Sequence, residues 1–169
     1  MAITVGTDSY ISLADAESYF ETRLHAGNRN EATDTDKEKA LKHATRMIDD
    51  LFAWPGELTD EDQVLDWPRS DVVDSEGRDI ASDAIPVPIE NGTCEQALYL
   101  LGAIDPTTEP DLIKQGFSKA KLGPMEVETD KTMIPDQIGP AVPIAIGELG
   151  SLKPGASAFG VFTGETIRQ

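Results

Sequence analysis

The stretch Thr35-Asp36-Lys37-Glu38-Lys39-Ala40-Leu41-Lys42-His43-Ala44-Thr45-Arg46-Met47-Ile48-Asp49-Asp50-Leu51-Phe52 decides how the rest of the chain reads. Ala40, Leu41, Ala44, Met47, Ile48 and Leu51 recur at the spacing of one helical stripe. Lys37, Lys39, Lys42, Arg46, Asp49 and Asp50 fall on the opposite, polar face. Thr35, with Glu38 three residues on, predicts a capping box at the start. Pro55-Gly56 ends the pattern. An amphipathic helix of this length needs apolar partners, and the flanking sequence supplies them.

Upstream, Ser12 and Asp15 predict a cap for a helix running to about Leu24, with Gly27-Asn28 closing it. Downstream, a Pro-rich loop occupies about 55–87. Pro88 suits the first turn of a helix to about Ala103 that buries Cys94, Ala97, Leu98 and Leu101. Gly92 within it costs roughly 1 kcal/mol, so packing must support this helix. Asp105-Pro106 stops it. The period then changes. Residues 117–129 read as two strands around Gly123-Pro124, the first basic and the second acidic. Residues 139–149 read as a short apolar helix. The expected fold is mainly α with some β: a small helical bundle with a long Pro-rich loop, one β-hairpin and an extended C-terminal tail. Residues 1–149 form the helical domain, and 150–169 form a Gly-rich tail.

Composition limits the function. The chain has 169 residues, enough for one core, and 39% are hydrophobic. No run of about 18 apolar residues predicts a membrane span. The N-terminus lacks the basic and apolar regions of a signal peptide. One cysteine, Cys94, excludes an internal disulfide and fits a reducing cytoplasm. Asp and Glu number 31 against 14 Lys and Arg, a net charge of −17. Nucleic-acid binders usually carry a basic footprint, and Lys114, Lys119 and Lys121 form the only dense basic cluster in this reading.

No motif for catalysis stands out. Two histidines, His25 and His43, and one cysteine give no zinc-ligand spacing. Asp34-x-Asp36-x-Glu38 fails as a calcium loop, because Lys39 stands where glycine is required. Gly155-Ala156-Ser157-Ala158-Phe159-Gly160 places its last glycine one residue late for a nucleophile elbow. The expectation is a protein without catalytic residues, metal or cofactor.

Contact with partners is therefore the expected work. Leu65-Asp66-Trp67-Pro68-Arg69-Ser70 holds one of two tryptophans, and Trp and Arg anchor interfaces. Trp67 reads either as a core plug or as an intersubunit anchor. Trp67, Pro68, Arg69 and Arg78 are the candidate contacts in the loop, with Phe159 and Phe162 in the tail. The tail reads as a free end or as an arm that orders against a partner.

Several segments together resemble a known family. Gly6-Thr7-Asp8-Ser9-Tyr10-Ile11-Ser12-Leu13-Ala14-Asp15-Ala16 opens the chain, and Ala44-Thr45-Arg46-Met47-Ile48-Asp49 follows. Leu65-Asp66-Trp67-Pro68-Arg69, Cys94-Glu95-Gln96-Ala97-Leu98 and Lys121-Leu122-Gly123-Pro124-Met125-Glu126-Val127 complete the set. In this order they resemble a family of tailed-bacteriophage proteins, over roughly residues 1–130. Members are labelled DnaT-like single-stranded-DNA-binding proteins and also look like head–tail connector adaptors. The connector resemblance implies a structural virion protein in the neck, assembled as a dodecameric homo-oligomeric ring. Its partners would be the portal protein and tail or neck proteins. DNA would pass through the ring without specific binding. The label implies instead a single-strand binder, which wants a positive groove and aromatic platforms. The charge of −17 turns the expectation toward the connector, with no membrane role.

Overall fold

The computed structural model describes residues 2–102 and 138–154, together with the backbone of 119–122 and 125–128. Among the described residues five α-helices dominate: α1 (Leu13–Glu21), α2 (Gly27–Glu31), α3 (Asp34–Leu51), α4 (Val87–Gly102) and α5 (Val142–Ile146). A 3-10 turn at Gly147–Leu149 extends α5. Six short strands pair antiparallel in three ribbons: β1 (Phe52–Ala53) with β6 (Ser151–Leu152), β2 (Glu57–Leu58) with β3 (Arg69–Ser70), and β4 (Lys119–Leu122) with β5 (Met125–Glu128). The fold is α+β and mainly helical, as its periodicities predict. The β4–β5 register sets Lys119 opposite Glu128 and Lys121 opposite Glu126.

Local chemistry explains the helix starts. Ser12 caps α1, its hydroxyl accepting from the Asp15 amide at 3.1 Å. The cap of α3 is Thr33, not Thr35: the Thr33 hydroxyl accepts from the Asp36 amide at 3.2 Å and donates to the Asp36 carboxylate at 2.8 Å. Two Thr-x-x-acid frames overlap here, and the earlier one adds two helical residues, Asp34 and Thr35, at the start of α3. The short α2 was not expected, since Gly27-Asn28 reads as a stop; here those residues begin a new turn.

α3 and α4 are the spine. Ala40, Leu41 and Ala44 from the first half of α3 share a cluster with Cys94 and Ala97 of α4, closed by Ala16 and Phe20. Ile48 and Phe52, from the other end, cluster with Ile89 at the start of α4, Trp67, Val142 and Ile146. The pairing of opposite ends makes the two helices antiparallel. Gly92 has a packing role: a Cβ there would lie 2.7 Å from Ile146 Cγ1, so the glycine lets α5 close on α4. That contact offsets the helix penalty of glycine. Gln96 ties the same segment down, its Oε1 accepting from the Gly139 amide at 2.9 Å.

The tail begins inside the body. β6 pairs Leu152 with Phe52, and the Lys153 amide donates to the Leu51 carbonyl at 2.8 Å. Residues 155–169, including Phe159 and Phe162, lie outside the described residues.

Candidate nucleic-acid interface

The Pro-rich loop turns its anchor inward. Trp67 is fully buried, and its ring meets Trp54 edge-on at 5.8 Å between centroids. Trp54 in turn stacks on Phe52 at 5.4 Å. The Trp67–Pro68 peptide is cis. Arg69 spends its guanidinium on backbone carbonyls: Nε donates to Pro55 at 2.7 Å, Nη2 to Gly56 at 2.8 Å and Nη1 to Asp66 at 3.2 Å. The Pro55 and Gly56 carbonyls lie between β1 and β2 and the Asp66 carbonyl between β2 and β3, and this fork supplies donors to all three. Gly56 has φ +70°, and a Cβ there would sit 2.1 Å from the Ser70 carbonyl oxygen. Only glycine lets these two stretches meet. The core-plug alternative is thus the arrangement found for Trp67, and Arg69 is its latch. Arg78 is exposed, at 72%, and paired within its own loop to Asp74 at 2.7 Å and Glu76 at 3.3 Å.

A different surface gathers cations. On α3, Lys39, Lys42, His43 and Arg46 follow the i, i+3, i+4, i+7 spacing and share one outward stripe. Lys39, His43 and Arg46 are exposed, and Lys42 is half-buried beside them. The stripe rises about 10 Å along the helix. Its lysines hold carboxylates at their edges: Lys39 to Asp36 at 3.0 Å and Lys42 to Asp8 at 3.2 Å. Asp8 is held below the usual carboxylate range, first by the Thr4 amide and then by Lys42. Asp36 is held low by the Thr33 hydroxyl and by Lys39. Both carboxylates stay ionised, so each competes with any incoming anion. The exposed Lys39–Asp36 pair is weak, as surface ion pairs are, while the Lys42–Asp8 pair is partly buried.

Most other described cations are committed elsewhere. Arg23 binds Glu95 at 2.6 Å, a carboxylate that also accepts from the Tyr19 hydroxyl at 2.6 Å. Burial raises Glu95, yet these two hydrogen bonds outweigh it and keep the carboxyl below its ordinary value. Arg29 is buried, paired to Glu17 at 2.8 Å and lying over the Phe20 ring at 4.2 Å. Lys37 leaves the stripe to reach Glu17 at 3.0 Å. The acidic end of α3 is a junction. The Asp49 carboxylate accepts from the Tyr10 hydroxyl and from the Asp66 amide, while Lys153 Nζ donates to its carbonyl at 2.7 Å. Burial, then the Asp66 and Asp50 charges, push Asp49 up to about 6 against its hydrogen bonds.

Among the described residues no aromatic ring is exposed: Tyr10, Phe20, Phe52 and Trp67 are buried, and Tyr19, Trp54 and Tyr99 half-buried. Nor is any group of three His, Cys, Asp or Glu placed to hold a metal ion among them. The sequence-predicted basic cluster at Lys114, Lys119 and Lys121 has its side chains outside the described residues. The α3 stripe was missed because its lysines read as the solvated side of an amphipathic helix. The usable signal was four cationic or imidazole side chains within eight residues of one face.

No curated protein and no solved structure matches the chain. One family model does, over residues 2–156, described as "Putative DnaT-like ssDNA binding protein". This corrects the connector expectation. Nothing in the comparisons supports a head–tail connector or other virion structural role, and the matched family is described by single-stranded-DNA binding instead. Portal and tail partners, and the absence of specific nucleic-acid binding, are withdrawn with it. The expectation had let the net charge of the whole chain decide between the two labels. Matched over most of its length, the chain belongs to the DnaT-like single-stranded-DNA-binding family.

Proposed function

We propose that this protein binds single-stranded DNA through the backbone phosphates, along the Lys39–Lys42–His43–Arg46 stripe of α3. The family match over residues 2–156 carries the reading. The stripe supports it from the geometry, as the described surface where basic side chains are presented together. With three full cations, Lys39, Lys42 and Arg46, the stripe can meet two or three phosphates. Phosphate would replace the exposed Asp36 at Lys39 and compete with the partly buried Asp8 at Lys42. With no exposed ring among the described residues, contacts there are to the backbone and carry no base preference. The surrounding acidic surface confines the strand to this stripe.

Fluorescence anisotropy with labelled oligo(dT), across a salt series, tests this. Two or three phosphate contacts give a log–log slope of about −1.4 to −2 for a single strand. The double variant Lys39→Glu/Arg46→Glu should abolish binding while leaving the thermal transition in place. No binding by the unaltered protein at low salt would sink the reading. Unchanged binding by the double variant would move the interface off α3.

A further inference from the structure

At its C-terminal end the α3 stripe runs into a cleft of about 450 Å³, lined by Arg46, Asp49, Asp50, Val64, Asp66 and Lys153. That volume lies in the range of small-ligand sites, about 300–1,000 Å³. Three parts of the chain meet there: α3, the loop between β2 and β3, and the residue just after β6. The fold sets Lys153 in place. Its amide donates to the Leu51 carbonyl at 2.8 Å. Its Nζ donates to the Asp49 carbonyl at 2.7 Å, one of the carbonyls left over at a helix end.

The lining carries both signs, and that decides what it suits. Arg46 and Lys153 are exposed, and neither holds a carboxylate in an ion pair among the described residues. The Asp49 carboxylate is already used by the Tyr10 hydroxyl and the Asp66 amide. The side chains of Asp50 and Asp66 accept no hydrogen bond among the described residues. A phosphate alone would meet three carboxylates against two cations. A cation alone would meet Arg46 and Lys153. A nucleotide carries what both sets need, an anionic phosphate and hydrogen-bond donors on its base. Guanine suits best, because its N1–H and N2–H lie side by side on the edge that a single strand leaves open, and together they match a carboxylate. Thymine offers one N–H between two carbonyls, which carboxylates repel. Val64, 72% exposed, supplies an apolar surface for the ring.

We propose that this cleft is a nucleotide subsite selective for guanine, an inference that rests on the reading of α3 as the DNA stripe. Arg46 and Lys153 share one phosphate of the strand, and the Asp50 and Asp66 carboxylates accept from the amino edge of the attached guanine. The stripe grips any strand, and the cleft at its end favours a strand that places a guanine there.

Fluorescence anisotropy of the full-length protein tests this, with oligo(dT) and with the same oligonucleotide carrying one central guanine. The guanine strand should bind at least about five-fold tighter, the lower end for a bidentate base contact. Replacing that guanine with hypoxanthine removes only the N2 amino group, and most of the gain should go with it; this arm needs no variant protein. Asp50→Ala/Asp66→Ala should erase the difference between the guanine and thymine strands. Lys153→Ala should weaken both strands alike, as loss of a phosphate contact does. Equal binding of both strands by the unaltered protein would overturn the subsite and leave the α3 reading standing, whereas no binding of either would sink both. A guanine preference that survives hypoxanthine or the two alanines, or binding unchanged by Lys153→Ala, would overturn the subsite as well.

Discussion

Two polar stretches, the Trp67 loop and the outer face of α3, exchange their apparent roles on folding. The loop holds the residues that usually mark interfaces, Trp and Arg, yet Trp67 is fully buried and Arg69 is spent on three carbonyls. The face of α3 looks like ordinary solvated helix, yet it brings Lys39, Lys42, His43 and Arg46 onto one stripe. The same residue types serve opposite ends because backbone placement decides what each can touch. An Arg whose fork matches three carbonyls is a structural clamp. A Lys whose nearest partner is an exposed Asp remains available to an anion.

The largest test of this contrast is Trp67→Ala. Removing a fully buried Trp should cost about 3–5 kcal/mol, measured by urea denaturation. Stability within error of the parent would mean that Trp67 is not core. Arg69→Ala should come next, at about 1–3 kcal/mol, because buried or turn carbonyls lose their donors. Arg69→Lys should restore little, since one ammonium nitrogen cannot span the three carbonyls that Nε, Nη1 and Nη2 reach separately. Both Arg69 variants should keep the salt slope of DNA binding; a changed slope would make Arg69 part of the interface.

Asp49 provides a pH test of the junction where α3 meets the loop. Its folded value of about 6 lies above its ordinary 3.8. The folded protein therefore holds a proton that the unfolded chain releases between those values. This contribution to stability is fully present below about pH 4 and is lost as pH rises through about 6. The slope is at most about 1.4 kcal/mol per pH unit. Asp49→Asn should flatten that part of the stability curve, and a curve unchanged by the substitution would remove Asp49 as its source. The smallest stability effect belongs to the α3 stripe. Lys39→Ala/Arg46→Ala should stay within about 0.5 kcal/mol of the parent while the magnitude of the DNA salt slope falls by about 1.4. A large loss of stability would make the stripe structural, like the loop.

Much of the architecture was legible in the sequence. Leu41, Ala44 and Ile48 marked the inner face of α3 by period alone, and Ser12 marked the start of α1. The ends were harder. Thr33 and Thr35 both head a capping pattern, and local chemistry does not rank them until the helix is packed. Gly92 appeared as a defect, and Ile146 of α5 turns it into a packing site. The candidate interface was less legible. Net charge is a property of the whole chain, whereas phosphate contact depends on which few cations share one face and which have been consumed by Glu17, Glu95 or backbone carbonyls.

Sequence alone determined the helical periodicity, the apolar stripe of α3, the break at Pro55-Gly56 and the helix start near Pro88. These follow from short-range geometry, in which side-chain spacing and backbone freedom act within a few residues. Only the tertiary structure decided that Trp67 points inward, that Arg69 latches two strands, and that β6 returns to pair with β1. These depend on contacts between residues far apart in the chain. Burial and hydrogen-bond satisfaction select among many conformations that the local sequence permits equally.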